Sequence, residues 1–200
     1  MKTAYCFDLD GTLTNQEILP LIASSVGLED EIGVLTEATI NGYLPFDKSF
    51  KLRVKLLKDA DVDWIHRVLS EEINLQPQII DFIFSHIEES FVVTGNLDLW
   101  VKSMLDDLNI QSFTSTARMC NDKLDGVETV LHKGDAVSSL RDRFDRIVVV
   151  GDGMNDVSMF EVADWRIAFG GVHPPHKQLI SLSDFVVYDG VSLCRLLNTL

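Results

Sequence analysis

Through the second half of the chain, short apolar runs bounded by turn residues alternate with longer segments whose apolar positions recur every three or four residues. The short runs, at 4–9, 91–93, 146–150, 167–169 and 184–188, read as buried strands. Val148, Val149 and Val150 form an unbroken β-branched run, the pattern of a central strand covered on both faces. The longer segments, at 97–108, 134–143, 155–163, 174–182 and 191–200, read as helices. Strands alternating with helices predict an α/β fold built on a doubly wound parallel sheet.

Residues 15–90 interrupt that alternation. Helical patterns follow one another at 17–26, 29–41, 45–59, 63–73 and 77–89, with no convincing strand between them. A block of this size is too long for a loop, and predicts an all-helical cap domain inserted between the first and second strands. The expected division is a core of 1–14 and 91–200 and a cap of 15–90. An insertion leaving the carboxyl end of a strand overhangs the crevice where open α/β sheets bind ligands.

Two hundred residues suffice for one such core and its insertion, and 46% hydrophobic with 24% charged residues excludes a disordered or fibrous chain. Lys and Arg number 17 against 31 Asp and Glu, a formal charge of −14, which argues against nucleic acid or an anionic membrane as partner. Cys6, Cys120 and Cys194 are odd in number and far apart, as suits a reducing compartment. The opening MKTAYCFDLD meets charge too soon for a signal peptide, and no apolar run reaches the length of a membrane span. The expected location is the cytoplasm.

The chemistry gathers where strands end. Asp8 closes the first strand, where a carboxylate without a partner is costly; Asp10 follows, and Gly11 permits a sharp turn. This loop is not an EF-hand, because the twelfth position counted from Asp8 is Leu19. Behind the run at 146–150 comes Gly151-Asp152-Gly153-Met154-Asn155-Asp156, far more than the one polar residue that a helix cap needs. Both clusters end parallel strands and therefore share one edge of the sheet. Asp8, Asp10, Asp152 and Asp156 converge there, and crowded carboxylates call for a cation. Oxygen ligands suit Mg2+, and no histidine or cysteine cluster favours zinc. Thr94-Gly95, between the strand at 91–93 and a helix beginning near Asn96, offers a hydroxyl and an amide to an anion. Lys133-Gly134 opens another helix and brings one positive charge. Taken singly, Thr94 reads as a helix cap and Lys133 as a solvated lysine.

In this order the four motifs resemble the phosphatase branch of the haloacid dehalogenase superfamily. The resemblance implies a Rossmann-like core with a helical cap, Mg2+ as cofactor and a small phosphomonoester as substrate. It implies that Asp8 attacks phosphorus to form an aspartyl-phosphate, and that Asp10 acts first as general acid and then as general base. It implies metal binding by Asp8, the Asp10 backbone carbonyl and Asp152, phosphate binding by Thr94, Gly95 and Lys133, and support from Asn155 and Asp156.

Within the superfamily the chain is similar to the phosphoserine phosphatase family. Glu17, nine residues after Asp8, falls on the position that contacts the substrate amino group. The segment 44–57 (LPFDKSFKLRVKLL) resembles the family's cap, with Phe46 on its hydrophobic and Arg53 on its carboxylate-binding position. Read alone, Glu17 is a first-turn helix acid and Arg53 an exposed basic residue. The chain departs from the family with Thr94-Gly95-Asn96 in place of serine and two glycines, with Ile40 where methionine is usual, and with a short, irregular stretch at 111–131. The expected reaction is hydrolysis of O-phospho-L-serine. The alternatives are another small phosphomonoester, phosphoryl transfer to an alcohol such as homoserine, a receiver-like phosphoaspartate signalling module, and a catalytically weak binding protein.

Overall fold

A computed structural model describes the chain apart from Asn41, Gly42, Glu72 and the side chain of Ile40. The helix end expected at Asn41 and the cap side chain expected at Ile40 lie outside the described residues. The strands are β1 (Thr3–Phe7), β2 (Ser90–Leu97), β3 (Gln111–Cys120), β4 (Lys123–Thr129), β5 (Arg146–Gly151), β6 (Trp165–Phe169) and β7 (Phe185–Val187). They form one sheet in the order β4-β3-β2-β1-β5-β6-β7, parallel throughout except for the β3–β4 pair.

Alternation along the central strands supplies two apolar faces. Ala4 and Cys6 of β1, with Ile147 and Val149 of β5, pack with Val137, Leu140 and Phe160 on one side. Tyr5, Phe7, Val148 and Val150 belong to the core on the other side, with Ile83, Trp100 and Leu105. The helices are α1 (Ile18–Val26), α2 (Glu29–Ile40), α3 (Phe46–Leu57), α4 (Val62–Glu71), α5 (Pro77–Ser85), α6 (Asp98–Asp107), α7 (Lys133–Ser138), α8 (Val157–Phe160), α9 (Lys177–Leu182) and α10 (Gly190–Leu197). None of the described helices is long and apolar enough to cross a membrane.

The helical block leaves and re-enters the core through a two-legged neck. Thr14 and Leu75 form an antiparallel bridge, the Asn15 N–H donates to the Asn74 carbonyl at 2.9 Å, and the Gln76 N–H donates to the Leu13 carbonyl at 2.8 Å. Helix α5 lies beyond the returning leg and covers the sheet, with Phe82 edge-on to Tyr5 at 5.0 Å and to Phe7 at 6.3 Å.

Two segments differ from expectation. The strand expected to stop at 93 runs on to Leu97 with a register shift between Val93 and Leu97, and α6 starts only at Asp98. Thr94 and Gly95 therefore lie inside β2 and not at a helix start; the Ser115 hydroxyl, donating to the Gly95 carbonyl at 2.7 Å, ties this extension to β3. The stretch 111–131, expected to be irregular, is the β3–β4 hairpin. Its turn residues Asn121 and Asp122 have φ of 49° and 59°, a left-handed pair that Asn and Asp tolerate and that two-residue hairpins require.

Candidate active site

The strands β1 and β5 are neighbours with Phe7 opposite Val150, and the Asp8 N–H donates to the Val150 carbonyl at 2.9 Å. Asp8 thus leaves β1 level with the end of β5, beside the loop that carries Asp152 and Asp156. The strand order reverses here, since β2 lies on one side of β1 and β5 on the other; this is the crevice in which open sheets bind ligands.

At its floor lies a buried ion network. Lys133, the first residue of α7, sets its Nζ 2.6 Å from Asp8 Oδ1 and 2.6 Å from Asp156 Oδ1. The second oxygen of Asp156 accepts the N–H groups of Asp152 (3.0 Å) and Gly153 (2.9 Å), so this carboxylate holds both the loop and the lysine. The Leu9 N–H donates to Asp8 Oδ1 at 2.7 Å. Oxygens of Asp8, Asp152 and Asp156 lie within 4.8 Å of one another. Gly11 turns against this group with φ +70°, and a Cβ there would stand 2.5 Å from Asp152 Oδ2, so glycine alone allows the close approach.

The network holds more negative charge than Lys133 balances. Burial, and then Asp156, push the Asp8 carboxyl up to about 8 in spite of Lys133. Burial, and then Asp156 and Asp8, push Asp152 up to about 9. Burial works against the Lys133 ammonium, but Asp156 and Asp8 more than offset it and hold its pKa above the ordinary lysine value. An oxygen-lined group of carboxyls that resist ionisation for want of positive charge fits a hard divalent cation.

Asp10 stands apart from this group. Its Oδ1 accepts the Ile18 N–H at 2.8 Å and its Oδ2 accepts the side-chain amide of Asn96. Its side chain turns toward the start of α1, and desolvation, followed by the Glu17 charge, raises it to about 7.

A cleft of about 620 Å³ opens above these groups, lined by Asp8, Asp10 and Asp152 together with Glu17, Phe46 and Arg53. Phe46, Phe50 and Arg53 share one face of α3, spaced by four and then three residues. The two rings stack at 5.7 Å, and Phe46 rests on Gly95, where a Cβ would stand 2.7 Å from the ring. Arg53 is buried, not exposed, and its Nη1 donates to the Thr36 hydroxyl at 3.3 Å. Burial lowers its pKa, against the opposing charge of Glu17. Glu17 precedes α1 as its cap instead of joining its first turn; desolvation in the cleft, and then Asp8, raise its pKa while Arg53 opposes them. Thr94 is buried, and its hydroxyl oxygen accepts both the backbone N–H and the side-chain amide of Asn96 at 3.2 Å. Asn155 lines the cleft beside Asp152.

Of the site residues expected from the sequence, Asp8, Asp10, Glu17, Phe46, Arg53, Gly95, Asp152 and Asn155 line the cleft, Lys133 and Asp156 lie in the buried network beneath it, and Thr94 is buried against Asn96. Three that sequence reasoning gave no role also belong here: Asn96 on Asp10, Thr36 on Arg53, and Ser115 on the Gly95 carbonyl. Asn96 is visible as the residue that follows Thr94-Gly95. Thr36 and Ser115 carry no sequence signal, since each works through a contact between distant elements.

This crevice, with its aspartates just past the ends of β1 and β5, is that of a hydrolase acting at the sheet's carboxyl edge. The chain belongs to the haloacid dehalogenase-like hydrolase family, whose pattern matches residues 6–161, and it is a phosphoric monoester hydrolase. Its relatives include the phosphoserine phosphatase of Methanocaldococcus jannaschii, 30% identical over 180 residues, covering 84% of this chain and 85% of that protein. The phosphoserine phosphatase of Bos taurus is 28% identical over 207 residues, covering 95% and 91%. Of the longer Archaeoglobus fulgidus phosphoserine phosphatase the chain spans 52%. A solved structure of a phospho-aspartyl intermediate analogue of phosphoserine phosphatase superposes with a TM-score of 0.81 at 27% identity, covering 98% of each chain. The receiver-like module and the weak binding protein give way to an enzyme.

Proposed function

We propose that the protein hydrolyses O-phospho-L-serine with Mg2+ as cofactor and an aspartyl-phosphate intermediate on Asp8. The observation that carries this reading is the contact of Lys133 with both Asp8 and Asp156 beneath a cleft that also holds Glu17 and Arg53.

Helices α1–α4 act as the cap, hinged at the neck between Thr14 and Leu75, and α5 belongs to the core. Asp8, Asp152 and the Asp10 backbone carbonyl would hold Mg2+, which would neutralise negative charge at the reacting centre. Lys133, Thr94 and the Gly95 amide bind the equatorial phosphate oxygens, while Asn155 and Asp156 keep the loop and the lysine in place. Asp8 attacks phosphorus as the ester P–O bond breaks, and Asp10 gives its proton to the leaving oxygen. Asp10 then takes a proton from the water that hydrolyses the acyl phosphate. Closure of the cap excludes bulk water and sets Glu17 against the substrate ammonium, Arg53 against its carboxylate, and Phe46 along its methylene.

Phosphate release from a panel of phosphomonoesters, with and without Mg2+, tests this. Phosphoserine ahead of the panel, with no turnover by Asp8→Asn, is the expected result. Activity confined to other esters removes the substrate assignment and leaves the chemistry. Reaction with homoserine present, followed by assay for phosphohomoserine, separates hydrolysis from transfer.

A further inference from the structure

The side chain of Asn96 touches two groups of the proposed mechanism at once. Its amide donates to Asp10 Oδ2 and lies 3.2 Å from the Thr94 hydroxyl, and it is 4% exposed at the cleft wall. A carboxylate beside a carboxamide takes the NH2 edge, because an ionised carboxylate only accepts hydrogen bonds. With the Ile18 N–H on Oδ1 at 2.8 Å, each Asp10 oxygen has one donor from the protein and further acceptor capacity left in a residue that lines the cleft. Without Asn96 a single hydrogen bond would hold Asp10, and the carboxyl could swing about its χ2 torsion, which is broad for this side chain. The same amide and the Asn96 backbone N–H both donate to the Thr94 oxygen at 3.2 Å, which leaves its O–H free to donate elsewhere.

We propose that Asn96 is a positioning residue for the general acid: it fixes the Asp10 carboxyl so that its proton meets the leaving oxygen as the P–O bond breaks and Asp8 bonds to phosphorus. The inference rests on the reading of Asp10 given above. The need for that proton depends on the leaving group. An alkoxide must be protonated as it departs, whereas p-nitrophenolate leaves unaided. Loss of a positioned acid therefore slows alkyl esters selectively, and the effect shows in kcat/KM, which covers the chain of steps up to ester cleavage and leaves out the later hydrolysis of the acyl phosphate.

The experiment measures kcat/KM for phosphoserine and for p-nitrophenyl phosphate, with Mg2+ present, for the wild type, Asp10→Asn, Asn96→Ala and Asn96→Ser. Turnover of the aryl ester reports that each variant is folded, and the serine hydroxyl keeps a short donor should the alanine variant fail to fold. Asn96→Ala is expected to lose at least about tenfold more on phosphoserine than on the aryl ester, in the same direction as Asp10→Asn and within the range of general acid catalysis. Asn96→Ser is expected to fall between Asn96→Ala and the wild type. Equal losses on both esters in the Asn96 variants, with selective loss in Asp10→Asn, overturn the role of Asn96 and leave the mechanism standing. Equal losses in Asp10→Asn remove the acid role of Asp10, and the inference with it.

Discussion

The ammonium of Lys133 stands 2.6 Å from the Asp8 carboxylate and 2.6 Å from that of Asp156, with all three side chains buried. One cation thereby joins the end of β1 to the loop after β5. A lysine so held cannot turn to solvent, and in the proposed mechanism it presents its charge to the phosphate.

Replacing it with an uncharged side chain of similar length leaves two buried carboxylates without their partner. Lys133→Met is expected to lower kcat/KM by about 10²-fold or more, the scale of losing a fixed charge at the reacting centre. It is expected to cost about 3 kcal/mol of stability, the scale of breaking a buried ion pair by removing one partner. Denaturant unfolding, beside the assay, measures both effects.

The crowded carboxyls make the metal-free protein sensitive to base. Asp8 and Asp152 lie at about 8 and about 9 in the folded chain, against an ordinary value of 3.8. The folded state therefore binds more protons than the unfolded state across this window, and stability falls as pH rises. The contribution is whole below about pH 4 and is lost as pH climbs to about 9. Melting temperatures in EDTA should decline from pH 5 to pH 9, and the series in Mg2+ should be flatter, because a bound cation favours the ionised carboxyls. A flat or rising EDTA series would contradict the electrostatic account.

Phe46 meets the core at Gly95, where a Cβ would stand 2.7 Å from its ring. Gly95→Ala is expected to wedge the cap and cut kcat/KM by about tenfold or more, since a displacement of about 1 Å near a reacting centre is costly. Phe46→Ala in the same chain should return part of the loss. A double-mutant cycle reads this directly, and additive losses would show that the ring and the glycine act independently.

Arg53 tests the substrate. Paired with a substrate carboxylate, it contributes about 1.5–3 kcal/mol as a charged hydrogen-bond donor. Arg53→Ala should therefore lose roughly 10- to 100-fold in kcat/KM on phosphoserine, and far less on phosphoethanolamine, which lacks the carboxylate. Equal losses on the two esters would remove the carboxylate from the account.

Much of this architecture is legible in the chain. The apolar run 146–150 identifies the central strand, and the aspartates at 8 and 152 identify its active edge, because a charge that closes a buried strand needs a reason. The motif order carries the site further than any single residue does: Lys133 read alone is a surface lysine, yet it is 3% exposed. The β3–β4 hairpin is harder to see, since its strands are half exposed and its turn signal, Asn121-Asp122, lacks the glycine that usually marks such turns. The extension of β2 through Thr94 and Gly95 depends on Ser115, twenty residues away, and no local pattern reports it. Asn96 looks like a simple departure from the family until its amide is found on Asp10.

The central claim is that Asp8 carries the phosphoryl group during turnover. Rapid acid quench of the enzyme mixed with Mg2+ and phosphoserine labelled in its phosphate tests this directly, with digestion to locate the label. The account predicts a labelled acyl phosphate on the peptide containing Asp8, formed and lost within a turnover and absent from Asp8→Asn. Phosphate released at the wild-type rate with no label on Asp8, or an Asp8→Asn variant that still turns over, would contradict it.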